Sequence, residues 1–164
     1  GNIAAAASLM SRDRGEPALA GQILLSPMLD VCVATASLRK AHAGPVGCRW
    51  ADGWRSYLPR ASDALHPYAT PGSAVRLAGL PPTLLITAHD DPFRDETAAY
   101  AQRLRGDGVA VDELRLPMPT GFPAPYMEAP PCETPWAETV RQTLRRFLAA
   151  DPTDSSIHTR RTFP

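Results

Sequence analysis

Two short apolar segments, Gln22–Ser26 and Thr83–Ala88, constrain the fold of this chain more than any other feature. Neither segment alternates regularly between polar and apolar residues, so neither has the pattern of a strand with one face in water. Short apolar runs without this alternation are typical of strands that are buried on both faces of a parallel sheet. A third segment, Val109–Leu116, does alternate, but the alternation slips at Asp112–Glu113, which predicts a β-bulge.

The helical spacing of apolar residues predicts helices around these strands. They are expected from Ile3 to Gly15, from Ala98 to Arg105, and from Thr134 through Leu148, with Pro135 at the first helical position. Because strands and helices alternate along the chain, the sequence predicts an α/β fold with a mostly parallel sheet flanked by helices.

Residues 30–80 interrupt this alternation and form a loop-rich insertion, which in an α/β domain usually forms a lid or a substrate-side loop. Trp50, Trp54 and Tyr57 lie at helical spacing within it. They either line a substrate pocket or form the buried face of a short helix, and we slightly favour the buried face. Residues 151–164 are polar and aperiodic and are predicted to be a disordered tail, which leaves residues 1–150 as one domain.

Composition excludes several classes of protein. Seventeen basic residues balance seventeen acidic ones, so the basic excess of a nucleic-acid-binding protein is missing. No apolar run approaches the roughly 18 residues that a membrane span needs. The chain has three cysteines, Cys32, Cys48 and Cys132, whose wide spacing predicts neither a disulfide framework nor a metal site. We therefore expect a cytoplasmic protein with no membrane span, no nucleic-acid partner, no metal and no cofactor.

The segment that follows the second strand, Ala88–Glu96, carries four acidic residues. In a parallel sheet, the loop after a strand lies at the edge where ligands bind, so an acid there is well placed for catalysis. The same spacing also fits a helix start, with Asp90 or Asp91 as the cap and Pro92 at the first helical position. From spacing alone, capping is favoured over catalysis by about two to one.

The run Asp91-Pro-Phe-Arg-Asp-Glu96 resembles the D-P-L-R-D-E motif of the α/β-hydrolases related to hormone-sensitive lipase, a group of carboxylesterases and lipases. Three further stretches agree in the same order. Gly1–Ala6 resembles the helix start after the nucleophile elbow G-D-S-A-G-G-N, Leu24–Asp30 resembles L-L-Y-P-M-L-D, and Leu77–Pro82 resembles the linker before the acid-bearing strand. The resemblance covers about residues 1–150 and implies the C-terminal portion of an α/β-hydrolase fold, without its N-terminal strands and nucleophile elbow.

The resemblance implies hydrolysis of a small-molecule acyl ester by a Ser-His-Asp triad, in which Asp91 matches the acid. Asp95 and Glu96 match the rest of the motif and are expected to be structural at the start of the next helix. His89 is expected to be a loop residue rather than a base.

Two features depart from the family pattern. The chain contains no G-x-S-x-G, and Thr120 stands where the family has its catalytic histidine. A threonine hydroxyl does not exchange a proton near neutral pH, and His42, His66 and His158 are poorly placed to replace the histidine. We therefore expect no esterase turnover from this chain alone.

Two functions of different classes follow from these observations. The first is a carboxylic ester hydrolase of which this chain supplies the acid. The alternative is a non-catalytic α/β-hydrolase-like domain that binds a small apolar ligand or a partner protein. In either case a sheet of about three strands leaves an exposed edge, which a missing N-terminal half or a second copy of the chain would cover. A nucleotide-binding domain is disfavoured because neither G-x-G-x-x-G nor a P-loop is present.

Overall fold

Three parallel strands form the sheet, β1 (Gln22–Leu25), β2 (Thr83–Ala88) and β3 (Val111–Leu116), in that spatial order. The computed structural model describes residues 1–41, 49–117, 119–121 and 134–150. Cys48, Cys132, His42, His158 and the tail 151–164 therefore lie outside the described residues. Within them the α/β architecture with a parallel sheet is confirmed.

The central strand β2 is buried along its whole length, as the apolar pattern predicts. Leu85 belongs to the main core cluster, while Leu84 and Ile86, which alternate with it and face the opposite side, are 0% exposed. Both faces of this strand are therefore covered, which explains why its sequence lacks a regular polar alternation.

The predicted bulge in β3 is wrong. All six residues of β2 pair one-to-one with β3, from Thr83 opposite Val111 to Ala88 opposite Leu116. Glu113 lies opposite Leu85 in this register, and its carboxylate accepts a hydrogen bond from Arg105 at 2.5 Å. The acidic residue that interrupts the alternation is thus paired with a cation, without an extra residue in the strand.

The helices are α1 (Asn2–Arg14), α2 (Ala36–Lys40), α3 (Arg49–Tyr57), α4 (Arg94–Gly106) and α5 (Ala137–Ala149), with 3₁₀ turns at Ala61–Leu65 and Pro71–Ser73. The predicted stop of α1 is confirmed, since Gly15 adopts a left-handed conformation with φ 74°. Pro135 lies two residues before α5 begins, so its predicted place as the first helical residue is wrong. None of the helices in the described ranges is long and apolar enough to cross a bilayer.

Helix α4 begins at Arg94, four residues before the predicted Ala98, so Pro92 precedes the helix rather than starting it. The prediction failed because the first turn contains Asp95 and Glu96, which show no apolar periodicity. Acidic residues in a first turn are favoured by the helix dipole.

The core lies between α1, the sheet and α4. Ala5 and Leu9 of α1 join Leu24 of β1, Leu85 of β2 and Leu104 of α4 in one buried cluster. Leucine side chains that are fully buried in this way stabilise a domain by roughly 1.5–3 kcal/mol each. This cluster fixes α4 against the sheet, and with it the loop between β2 and α4 that carries the acidic residues.

Candidate functional site

Asp91 lies in the turn between β2 and α4, at the carboxyl end of the central strand. Its backbone N–H donates to the carbonyl of Ala88 at 3.2 Å, and its carbonyl accepts the N–H of Arg94 at 3.2 Å. The residue is only 1% exposed. The turn therefore holds a buried carboxylate at the sheet edge where ligands of parallel α/β proteins bind.

Each oxygen of the Asp91 carboxylate accepts a hydrogen bond from a different part of the chain. The backbone N–H of Phe93 donates to Oδ1 at 2.8 Å, and the hydroxyl of Ser26 donates to Oδ2 at 2.5 Å. The Phe93 contact is a local turn within the loop, and the interpretation of Asp90 or Asp91 as the helix cap is wrong, because Phe93 is the N-cap of α4 and no side chain caps it. The Ser26 contact comes from the end of β1 and was not predicted from the sequence.

Burial raises the pKa of the Asp91 carboxyl above its ordinary value. The hydrogen bonds from Ser26 and Phe93 oppose this rise, and the nearby charge of Asp90 adds to it. Each carboxylate oxygen can accept a further hydrogen bond, since it has two lone pairs. The group therefore keeps acceptor capacity beyond the two bonds that it makes.

Thr120, the residue expected at the position of the family's histidine, contacts Asp90 rather than Asp91. The carboxylate of Asp90 accepts the N–H of Thr120 at 2.9 Å, its hydroxyl at 3.2 Å, and the N–H of Gly121 at 2.8 Å. Burial alone would raise the pKa of Asp90, but these donors outweigh it and lower that pKa. The segment that follows β3 is thereby fixed against the loop that carries Asp91.

The histidines in the described ranges make other contacts. His66 accepts the N–H of Tyr68 at 3.2 Å, and its ring lies edge-on to the Tyr68 ring. His89 is an exposed loop residue, as expected, and its backbone N–H donates to Leu116. Among the described residues, no His/Cys/Asp/Glu group could hold a metal ion.

Asp95 and Glu96 lie in the first turn of α4, as expected, and their carboxylates also bind the chain segments that follow β1. Asp95 accepts the N–H of Ser37 at 2.8 Å, where α2 begins. Glu96 is 8% exposed and accepts the N–H groups of both Leu29 and Asp30. Burial raises the pKa of Glu96 to about 7 against these two donors.

The aromatic residues of the insertion occupy three different environments. Trp54 is 7% exposed, as a buried helix face requires, but Tyr57 is 45% exposed, so the buried-face interpretation is wrong for Tyr57. The ring of Trp50 packs edge-on against Phe93, with centroids 5.0 Å apart. Phe93, one member of this aromatic pair, is two residues along the chain from Asp91.

A cavity of about 380 Å³ lies between α4 and the segment that follows β1. Its lining includes Leu29, Leu38, Ala99 and Tyr100 together with the buried carboxylate of Glu96. This volume is in the range of small-molecule sites.

The chain belongs to the α/β hydrolase fold family. Residues 1–119 match the family model described as the alpha/beta hydrolase fold. The expectation from the sequence motifs is thus confirmed.

The relatives that the chain resembles include esterases and a receptor. It is 32% identical over 119 residues to an arylesterase of Saccharolobus solfataricus, covering 71% of this chain and 39% of that protein. It is 34% identical over 130 residues to a gibberellin receptor of Arabidopsis thaliana, covering 74% and 37%. The crystal structure of a hyperthermophilic esterase from the archaeon Pyrobaculum calidifontis superposes with a TM-score of 0.61 at 40% identity, covering 70% and 39%. The chain therefore spans less than two-fifths of the length of each of these proteins.

Proposed function

We propose that this chain supplies the acid of an ester-hydrolysing Ser-His-Asp triad, and that Asp91 is that acid. The observation that carries the proposal is the buried carboxylate at the carboxyl end of β2, which keeps lone pairs available beside its bonds to Ser26 and Phe93. The similarity to an arylesterase and to an archaeal esterase supports ester chemistry.

In this role the Asp91 carboxylate accepts a hydrogen bond from a histidine ring. The bond selects the tautomer whose other nitrogen takes the proton of the nucleophile, and the negative charge stabilises the imidazolium that forms. Asp91 itself transfers no proton. The substrate class is a small-molecule acyl ester.

The chain by itself lacks turnover in this proposal, because it contains no G-x-S-x-G and carries Thr120 at the histidine position. Loss of one triad member costs about 10⁴–10⁶ in rate, because the members act as a unit. The expected result is no saturable hydrolysis of a short p-nitrophenyl ester by the chain. Saturable hydrolysis that Asp91→Asn abolishes would overturn the predicted inactivity.

A chimera tests the role of Asp91 directly. Residues 1–117 of this chain replace the matching segment of the Saccharolobus arylesterase, which keeps the rest of its own sequence. The chimera is expected to hydrolyse the p-nitrophenyl ester, and Asp91→Asn is expected to lower kcat by about 10⁴, as loss of a triad acid does. Equal rates with and without that substitution would contradict the assignment.

A second candidate function is a non-catalytic domain that binds a small apolar ligand or a partner protein. The observation that favours it is Thr120, whose hydroxyl bonds to Asp90 and leaves no imidazole at that position. A receptor among the relatives supports a binding role within this family. The chimera of residues 1–117 distinguishes the two functions through Asp91. A triad acid supports turnover that Asp91→Asn lowers, whereas equal rates with and without Asp91→Asn favour the binding domain.

A further inference from the structure

The end of β1 carries an unusual backbone conformation at the residue that contacts the acid. Ser26 has φ 42°, in the left-handed region that residues other than glycine rarely adopt. Its backbone N–H still donates to the carbonyl of Ile86 at 3.0 Å, which continues the pairing of β1 with β2. The position of Ser26 relative to β2 is thus set by the sheet. Strained conformations of this kind persist where the surrounding structure fixes them, often at functional sites.

The turn that follows Ser26 is also fixed at its other end. The carboxylate of Glu96 accepts the N–H groups of Leu29 and Asp30, and the carbonyl of Leu29 accepts the N–H of Gly72 at 3.0 Å. The Ser26 hydroxyl is therefore presented to the acid from a turn that is held by the strand ladder on one side and by α4 on the other.

A carboxylate that is held at a single oxygen remains free to pivot, because the terminal torsion of an aspartate is broad. The N–H of Phe93 binds Oδ1 of Asp91, and this contact alone leaves that freedom. A second donor on Oδ2 fixes the plane of the group, and the hydroxyl of Ser26 is that donor, at 2.5 Å.

We propose that Ser26 is a positioning residue for Asp91, whose hydroxyl fixes the plane of the acid's carboxylate and favours its ionised form. The inference rests on the proposed function in that it takes Asp91 to be the triad acid. The contact with a charged acceptor is stronger than a neutral hydrogen bond. Ser26 touches neither substrate nor nucleophile in this role and acts through Asp91.

The test is a titration of the aspartate side-chain carboxyl carbons by NMR in the full chain. Ser26→Ala removes the hydroxyl and keeps the side-chain carbon, whereas Ser26→Gly removes the hydroxyl and relieves the left-handed backbone. Both variants are expected to raise the pKa of Asp91 by about one pH unit, a tenfold lower acid dissociation constant, because the charged form loses a donor. The pKa of Asp90, which Ser26 does not contact, is expected to stay constant and serves as an internal control.

Ser8→Ala is the matched control, since Ser8 is a buried serine whose hydroxyl bonds within α1 to the carbonyl of Ala4. It is expected to leave the pKa of Asp91 unchanged. An Asp91 pKa that stays constant in both Ser26 variants overturns the proposal, as does an equal shift of Asp90, which would indicate general loosening. If Ser26→Ala fails to fold, Ser26→Gly decides, because glycine accepts the backbone conformation at position 26.

The chimera provides a second readout, in which Ser26→Ala is expected to lower kcat and leave KM unchanged. If the chimera shows no turnover even with Asp91 intact, the proposed function fails. The titration then still decides whether Ser26 controls the carboxylate, so the two failures are distinguishable.

Discussion

The carboxylate of Asp90 accepts both the backbone N–H and the hydroxyl of Thr120, at 2.9 and 3.2 Å. This pair joins the loop after β2 to the segment after β3. Thr120 is 8% exposed and its partner is Asp90 rather than Asp91. Asp90 therefore holds this segment against the loop that carries Asp91.

Asp90→Asn is expected to lower the free energy of unfolding by about 1.5–3 kcal/mol near pH 7, the range for hydrogen bonds to a charged acceptor. The lowered pKa of Asp90 gives the sign of the pH effect. The stabilisation that Asp90 contributes is fully present above the pKa that this residue has in the unfolded chain. It is lost as the pH falls through the lower pKa that Asp90 has in the folded state. Urea unfolding at neutral and acid pH measures it. Asp112→Asn on β3 is the control, and an equal effect there would contradict the assignment to the Thr120 contact.

Thr120→His places an imidazole beside the carboxylate of Asp90. A neighbouring negative charge favours the imidazolium, so the pKa of the new histidine is expected to lie above the ordinary value of about 6.5. NMR titration of the ring protons measures this pKa, and the double variant with Asp90→Asn is expected to reduce the shift. A pKa below the ordinary value would mean that the ring is buried away from both acids.

Because Glu96 is buried, we expect the free energy of unfolding to fall as the pH rises. Its pKa is raised to about 7 in the folded state, against 4.5 for the free side chain. Between these two pH values the folded state binds more protons than the unfolded state, so stability decreases with rising pH, by about 3 kcal/mol in total. Above pH 7 this contribution is constant.

Glu96→Gln is expected to remove that pH dependence, because the amide oxygen still accepts the N–H groups of Leu29 and Asp30 and carries no charge. The variant should match the original chain near pH 4 and exceed it in stability near pH 8, as measured by urea unfolding across that range. Glu96→Ala leaves two buried N–H groups without an acceptor and should be less stable at every pH. An unchanged pH slope in Glu96→Gln would contradict the assignment.

Gly72 lies so close to the turn after β1 that a side chain does not fit. A Cβ at this position would lie 2.8 Å from the carbonyl oxygen of Leu29, a backbone atom. Gly72→Ala is therefore expected to destabilise the fold by about 1–3 kcal/mol, as overpacking does. Gly53→Ala in α3 is the matched control, since a Cβ there meets nothing within 4 Å and alanine favours a helix by about 0.5–1 kcal/mol. Equal stability changes at the two sites would contradict this interpretation.

The sequence predicts the sheet well because a strand that is buried on both faces is a short apolar run without regular polar alternation, as β2 is. It predicts the position of Asp91 because the strand before it and the motif after it are both local. It does not predict the Ser26–Asp91 contact, which joins residues 65 apart in the sequence. The early start of α4 was missed because Asp95 and Glu96 in its first turn show no apolar periodicity.

The start of α4 connects three segments that are far apart along the chain. Asp91, Asp95 and Glu96 bind, respectively, the end of β1, the start of α2 and the turn between them. A tilt of α4 is therefore expected to disturb these three contacts together. Directed evolution that aims to change the pKa of the acid should therefore target the residues of α4 that pack on the sheet. A small shift of this helix would affect all three contacts at once.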